Sequence, residues 1–257
     1  MPELPEVETL CRQLRKTIPG RTILKDEVYD SKLSRFKEVR GAKVLDVRRR
    51  GKTIAIELDS GRTILIHLRM TGRLLWRTTS EKPQYARWKL ALDGGNIFLV
   101  DPRRFATVQV AAECPKTAER EIFGDLDIKK FIELHGRRKT RIKSLLMDQK
   151  AISGIGNIYA CEILHRAGIH PEREAGALTG SDWEKILQTT KTVLKKAIAN
   201  RGTSISDWRD LYGRKGDNQH ELTVYGKEGV ACPFCGVSIR RIRQSNRGTY
   251  FCPRCQK

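Results

Sequence analysis

The sequence predicts an α+β chain of several domains: antiparallel sheets led by one helix, then a helical half, then a small cysteine-bearing module. Three observations carry this. Apolar residues recur at every second position through much of residues 21–110, and they recur at helical spacing before and after it. Four of the seven cysteines stand in two C-x2-C pairs near the C-terminus.

In chain order, "EVETLCRQLRKTI" places Val7, Leu10, Cys11, Leu14 and Ile18 on one face of a helix, which Pro19-Gly20 halts. "KTIAIELDSGRTILIHL" alternates through Ile54, Ile56 and Leu58, turns at Asp59-Ser60-Gly61, and returns through Ile64, Ile66 and Leu68. "WKLALDGGNIFLV" repeats the plan around Gly94-Gly95. The strand signals stop in "AAECPKTAER", and from about Asp127 to Ala199 the pattern is helical. There "SGIGNIYACEILHRAGIHP" reads as a glycine-rich turn and a helix ended by Gly168 and Pro171. In "SDWEKILQTTKTVLKKAIAN", Ser181 and Glu184 have the capping-box form and Gly202 is the stop. Gly213 to Glu221 is polar, glycine-rich and expected to be mobile. The expected domains are 1–114, 115–221 and 222–257.

The chain has 257 residues, 50 Lys and Arg against 30 Asp and Glu, and a formal charge of +20 with 39% apolar residues. Enough apolar residue is present for a packed core, so the charge is that of a folded protein whose partner is a polyanion. Nucleic acid fits better than a membrane, because no stretch approaches the roughly 18 consecutive apolar residues of a spanning helix and the N-terminus has no signal pattern. The expected location is the cytoplasm, which in a bacterium is also the compartment of the nucleoid, and the expected state is a monomer.

Cys232, Cys235, Cys252 and Cys255 form C-x2-C, sixteen intervening residues, and C-x2-C, the spacing of a tetrahedral four-thiolate zinc site. Four cysteines leave no coordination position open, so one Zn2+ would be structural, holding a two-stranded finger. Between the pairs, Arg247 beside Asn246 and Gly248 sits at an expected hairpin tip and is a candidate phosphate contact. "GIGNIY" puts Asn157 at a helix N-terminus, where amides and dipole attract an anion, and "RRKTRIK" supplies five cations just before it. In "HLRMTGRL" and "DPRRF", Met70 and Phe105 stand beside arginines where no core is evident. Core filling is their ordinary role; apolar wedges beside arginine also suit entry into a base stack.

"PELPEVET", "GKTIAIEL", "HLRMTG", "DPRRF", "GIGNIYACE" and the terminal four-cysteine finger occur in one order across essentially the whole chain, and together they resemble the formamidopyrimidine-DNA glycosylase family of base-excision repair enzymes. The resemblance implies an N-terminal antiparallel β-sandwich with its leading helix, a helical helix-two-turns-helix domain and a C-terminal zinc finger. It implies as partner double-stranded DNA containing oxidised bases or abasic sites. It also gives the opening Pro2 a chemical reading. Once Met1 is removed, Pro2 presents a secondary amine; an α-amino group has a pKa near ~7.7–8.0 against ~10.4 for a lysine, so a useful fraction is unprotonated at neutral pH. Such a nitrogen can attack the sugar C1′ and end as a charged iminium, the electron sink for strand scission.

By that resemblance Pro2 is the nucleophile, Glu3 the acid that protonates the deoxyribose ring oxygen, Lys52 a proton-transfer group in β-elimination, and Arg247 a phosphate ligand linked to δ-elimination. Without the resemblance, Lys52 reads as a solvated strand residue. Met70, Arg103 and Phe105 match the residues that fill the gap left by a flipped nucleotide. Asn157 matches a phosphate ligand and Arg138 a basic DNA contact. Gln84 stands where many members carry a histidine; it can bond a phosphate but carries no charge. The Gly213–Glu221 stretch also departs from the family's base-covering loop. The activity implied is a bifunctional glycosylase and abasic-site lyase for oxidised purines. Two readings stand beside it: an endonuclease VIII-like enzyme for oxidised pyrimidines, and a non-catalytic damage-binding zinc-finger protein.

Overall fold

A computed structural model describes residues 1–33, 36–112, 121–124 and 127–257. The expected change from strand to helix in "AAECPKTAER", with Cys114, falls mostly outside the described residues. The chain forms two compact units, Met1–Lys116 with Ile198–Gln219, and Thr117–Ala197 with His220–Lys257.

The first unit begins with helix α1, Leu4–Thr17, whose Val7, Leu10, Cys11 and Leu14 are fully buried together with the C-cap Ile18. It packs on a four-stranded antiparallel sheet of β2 (Val44–Arg50), β3 (Thr53–Leu58), β4 (Thr63–His67) and β8 (Thr107–Ala111), in the order β2-β3-β4-β8. A second sheet has the order β1-β6-β7-β5, from β1 (Ile23–Val28), β5 (Arg73–Arg77), β6 (Ala86–Leu92) and β7 (Gly95–Val100). The registers Ile54↔Ile66 and Ile56↔Ile64 put the alternating isoleucines of the first hairpin on one face. Their face joins α1 and the inner residues of the second sheet, Trp88, Leu90, Ile97 and Leu99, in one continuous apolar core. Burying a large aliphatic side chain is worth about 1.5–3 kcal/mol, so this shared core is what fixes the register of both sheets.

Residues 198–219 return to the same core through Trp208 and Leu211. The polar stretch expected to be mobile is held in place. Asp210 Oδ1 accepts from the Tyr212 and Arg214 amides, Ser204 Oγ accepts from Gly216 N–H, and Asn218 is buried with its amide donating to Thr203 Oγ1. Polarity here reflects hydrogen bonding across the loop rather than solvation.

In the second unit, α2 (Ile128–His135), α3 (Ile142–Met147), α4 (Asn157–Ala167) and α5 (Gly180–Ala199) precede a two-stranded hairpin of β9 (Arg240–Gln244) and β10 (Arg247–Phe251). The α5 cap differs from the expected Ser181/Glu184 pair. Thr179 Oγ1 accepts from Asp182 N–H at 3.1 Å while Asp182 Oδ2 accepts from Thr179 N–H at 3.0 Å. The cap therefore lies two residues earlier, and Asp182 also accepts from Arg173 at 2.9 Å, which holds it there.

Candidate active site and metal centre

The first turn of α1 is built around two buried carboxylates. Pro2 is buried, and Glu3 and Glu6 are each 2% exposed. Glu3 is the N-cap, in a capping box with Glu6: the Glu6 Oε2 accepts from the Glu3 backbone N–H at 2.7 Å. Glu6 Oε1 accepts from Thr203 N–H, also at 2.7 Å, so one carboxylate ties the chain start to the 198–219 segment. The adjoining Gly202 has φ +81°, next to +58° at Arg201, and a Cβ on it would lie 2.9 Å from Glu6 Oε1. Glycine there is required twice over, by torsion and by space.

Lys52 is not a solvated strand residue. β2 ends at Arg50 and β3 begins at Thr53, so Lys52 lies in the turn between them, and it is 7% exposed. The sequence pattern missed this because alternation continues through the turn. On the adjacent strand, Thr53 pairs with His67, whose pKa is pushed down to about 4 by burial first and by the Arg69 and Lys52 charges next. The neutral ring accepts the Arg69 backbone N–H on Nδ1 at 3.1 Å, holding Arg69 at φ 57. Met70 follows, exposed, and the turn closes on Gly72, where a Cβ would meet Leu68 O at 2.4 Å.

Asp101 organises the "DPRRF" loop. Its Oδ1 accepts from Thr71 Oγ1 at 2.5 Å and Arg103 N–H at 3.2 Å; its Oδ2 accepts from Phe105 and Ala106 N–H at 2.7 and 2.8 Å. Burial raises its pKa, but the amides of Ala106, Phe105 and Arg103 with the Thr71 hydroxyl outweigh that and hold it below the ordinary carboxylate value. The loop therefore presents Arg103 and Phe105 together, the guanidinium 5.0 Å above the ring and Phe105 exposed. Through Thr71, the same carboxylate fixes the Met70 turn. Behind the loop, buried Arg87 donates to Asp30 at 2.5 Å and to Ala106 O at 2.6 Å, and Arg104 grips Asp30 at 2.5 and 3.0 Å. These ion pairs, with Arg104 foremost, hold Asp30 far below the usual range. Gln84 is exposed beside Tyr85, itself exposed at φ 61.

In the second unit, Asn157 opens α4 but its side chain is engaged: Oδ1 accepts from Lys143 Nζ at 2.6 Å and Nδ2 donates to Gly248 O at 3.0 Å. Lys143, 2% exposed, also donates to Thr249 Oγ1 at 2.7 Å. The "GIGN" turn is thus tied to β10, the strand that carries Arg247. Gln149 braces the turn from the other side, accepting from Gly154 N–H and donating to Ile155 O. Ser245 and Asn246, at φ 49 and 58, make the two-residue hairpin turn, and Arg247 is exposed immediately after it. Arg138 is exposed after α2, its carbonyl accepting from Gly176 N–H.

The sulfurs of Cys232, Cys235, Cys252 and Cys255 all lie within 4.8 Å of one another. A tetrahedral zinc with bonds of about 2.3 Å needs sulfurs about 3.8 Å apart. The pairs Cys232–Cys255 and Cys235–Cys252 stand at 3.9 and 3.4 Å, so the donor set fits. Each C-x2-C turn is closed alike, Gly236 N–H to Cys232 O and Gln256 N–H to Cys252 O.

With this geometry established, comparison with known proteins is decisive. Family models match residues 1–108 as the formamidopyrimidine-DNA glycosylase N-terminal domain, 119–208 as its H2TH domain, and 231–257 as the zinc finger found in FPG and IleRS. The chain belongs to the formamidopyrimidine-DNA glycosylase family. It is 40% identical over 278 residues to the formamidopyrimidine-DNA glycosylase of Gluconobacter oxydans, covering all of both chains, and 38% identical to that of Heliobacterium modesticaldum with the same coverage. Among solved structures it resembles a Lactococcus lactis FPG variant in complex with Fapy-dG-containing DNA, at TM-score 0.90 and 33% identity over 100% of both chains. Another Lactococcus lactis Fpg, with abasic-site DNA, matches at TM-score 0.90 and 33% identity over 99% of each chain. A third complex, of the Lactococcus lactis protein with oxidised-pyrimidine DNA, matches at TM-score 0.89 and 32% identity over 100% of both chains.

In this family member the four cysteines hold one structural zinc. Among the described residues no helix is long and apolar enough to cross a membrane. Sequence reading missed Glu6, Asp30, Arg87, Asp101 and Gln149, which position the candidate residues, and it counted Lys143 among five cations offered to a phosphate backbone, whereas Lys143 is buried and donates to Asn157 and Thr249. A signal existed for some: Arg87 and Lys89 are charges in an otherwise apolar strand, and Asp101 closes another.

Proposed function

We propose that the chain is a bifunctional DNA glycosylase and abasic-site lyase of base-excision repair, releasing oxidised purines such as 8-oxoguanine and formamidopyrimidines from duplex DNA. The observation that carries this is the Pro2–Glu3 start, buried and fixed by Glu6, in a chain that matches the family over its whole length. After loss of Met1, the Pro2 nitrogen attacks C1′ and the glycosidic electrons leave with the base. Glu3 protonates the ring oxygen, the sugar opens, and a positively charged iminium joins Pro2 to C1′. Abstraction of a C2′ proton, with Lys52 in the proton transfer, expels the 3′ phosphate; a second elimination, with Arg247 at the phosphate, expels the 5′ phosphate.

A stacked base hides C1′ from in-line attack, so the nucleotide must be extruded. Met70, Arg103 and Phe105 fill the gap, and the Asp101 network supports this by presenting the last two as a preformed pair. Asn157, Arg138 and Gln84 contact the backbone, Asn157 with its side chain already oriented by Lys143. The protein acts as a monomer in the cytoplasm with the nucleoid.

A second reading, preference for oxidised pyrimidines, is favoured by the resemblance to the complex with oxidised-pyrimidine DNA and by the departure at residues 213–221. Single-turnover excision from duplexes carrying one lesion each separates the two. Faster release of 8-oxoguanine or a formamidopyrimidine is expected; faster release of thymine glycol would establish the second reading instead.

A further inference from the structure

Helix α4 presents Cys161 and His165, one helical turn apart, to the cysteine module, and both are 1% exposed. Neither belongs to the ligand set, yet His165 touches it. Its Nε2 lies 3.3 Å from Cys232 Sγ, and its ring stacks on Phe234, inside the first C-x2-C turn, at 4.9 Å and 9°. On the other side Nδ1 is 2.8 Å from Thr223 Oγ1, which is 2.7 Å from Glu162 Oε2. Glu162 is itself fixed by the backbone N–H groups of Thr223, Val224 and Tyr225 at 2.8–2.9 Å. The imidazole is therefore clamped from both edges and one face.

Four thiolates on a divalent ion leave a net charge of about −2, and here two of the sulfurs belong to fully or nearly fully buried residues, Cys252 and Cys232. Burying such charge is costly unless donors point at it. The Cys255 amide is one, 3.4 Å from Cys252 Sγ. A zinc-bound thiolate has no proton to give, so the hydrogen in the His165–Cys232 contact has to sit on Nε2. Thr223 gives its one hydroxyl hydrogen to Glu162 Oε2, so Nδ1 also carries hydrogen and donates to Thr223 Oγ1; the ring donates from both nitrogens, to the hydroxyl on one side and to the thiolate on the other.

We propose that His165 is an outer ligand of the zinc centre, donating Nε2–H to the Cys232 thiolate and held in that orientation by Thr223 and Glu162. Outer partners of this kind are worth about 10–100-fold in metal affinity. The role concerns retention of the finger's metal and is independent of the base-excision chemistry.

The test uses the full-length zinc-loaded protein and reads zinc transfer to a chromophoric chelator. His165→Phe keeps a ring against Phe234 and removes the N–H; His165→Gln keeps a side-chain N–H donor and removes the ring. Zinc should leave His165→Phe about 10–100-fold faster than wild type and leave His165→Gln within about threefold of it. Release from His165→Phe at the wild-type rate, or equal acceleration in both variants, would overturn the proposal, since packing alone would then explain the contact. Should His165→Phe fail to fold, the wild-type protein loaded with an NMR-active cadmium isotope decides. Scalar coupling between the metal and the His165 Nε2 hydrogen supports the bond, and its absence with the ring signals assigned refutes it.

Discussion

Replacing Asp101 by Asn tests whether one carboxylate pre-forms the wedge. The substitution keeps the size and removes the charge. The amide oxygen can still serve Phe105 and Ala106, which bond Oδ2 at 2.7 and 2.8 Å. Its NH2 then faces Thr71, whose hydroxyl can turn to accept, and Arg103 N–H, which cannot. One orphaned amide costs about 1–3 kcal/mol, and loss of charge assistance in the three retained bonds, to Phe105, Ala106 and the buried Arg87 guanidinium 3.4 Å away, adds about 1 kcal/mol, for a total of about 3 kcal/mol. At about 2–4 °C per kcal/mol for a chain this size, the melting temperature should fall by about 6–12 °C. Below that transition, single-turnover base release should slow at least about tenfold, a loss of 1.4 kcal/mol in the barrier. Cleavage at a preformed abasic site should slow less, because no base has to be unstacked there. Wild-type melting and wild-type base release in Asp101→Asn would refute the claim that this carboxylate holds Arg103 and Phe105 in place.

Three further outcomes are expected. Glu6→Gln turns an NH2 toward either Glu3 N–H or Thr203 N–H, both bonded at 2.7 Å, so stability should drop by about 1–3 kcal/mol and kcat should fall with little change in KM, measurable by melting and steady-state excision. His67, His135 and His170 all have pKa values lowered chiefly by burial, His67 to about 4. The unfolded chain therefore binds more protons than the folded one below the ordinary imidazole value, and stability should decline as pH falls from about 6.5 toward 4. His67→Asn, which keeps an acceptor for Arg69 N–H, should flatten that slope in urea titrations across the window. Arg138→Ala should weaken binding to lesion and intact duplexes alike and lower the slope of log affinity against log salt by about 1.

Local rules made much of the first unit legible. Val7, Leu10, Cys11, Leu14 and Ile18 are fully buried as the helical spacing requires, and the Ile54–Leu68 hairpin pairs as its alternation requires. The exposure of Met70 and Phe105 also follows from their place beside turns. What escaped depends on partners distant in sequence. Nothing near Glu6 announces Thr203, and nothing near Trp208 announces the core it joins. Lys52 read as exposed because alternation does not reveal where a strand ends. Ser181/Glu184 and Thr179/Asp182 both fit a capping box, and it took the Arg173 contact to choose between them. The stretch Gly213 to Glu221 read as mobile because a polar residue looks the same in sequence whether it faces water or Asp210.

The central claim is that the amine of Pro2, freed of Met1, is the atom that bonds to deoxyribose. Borohydride reduction of the full-length protein on abasic-site duplex, followed by peptide mass spectrometry, tests it directly. The account predicts a methionine-free N-terminal peptide carrying the sugar adduct on Pro2. An adduct on Lys52 or any other amine, with the N-terminal peptide unmodified, would contradict it.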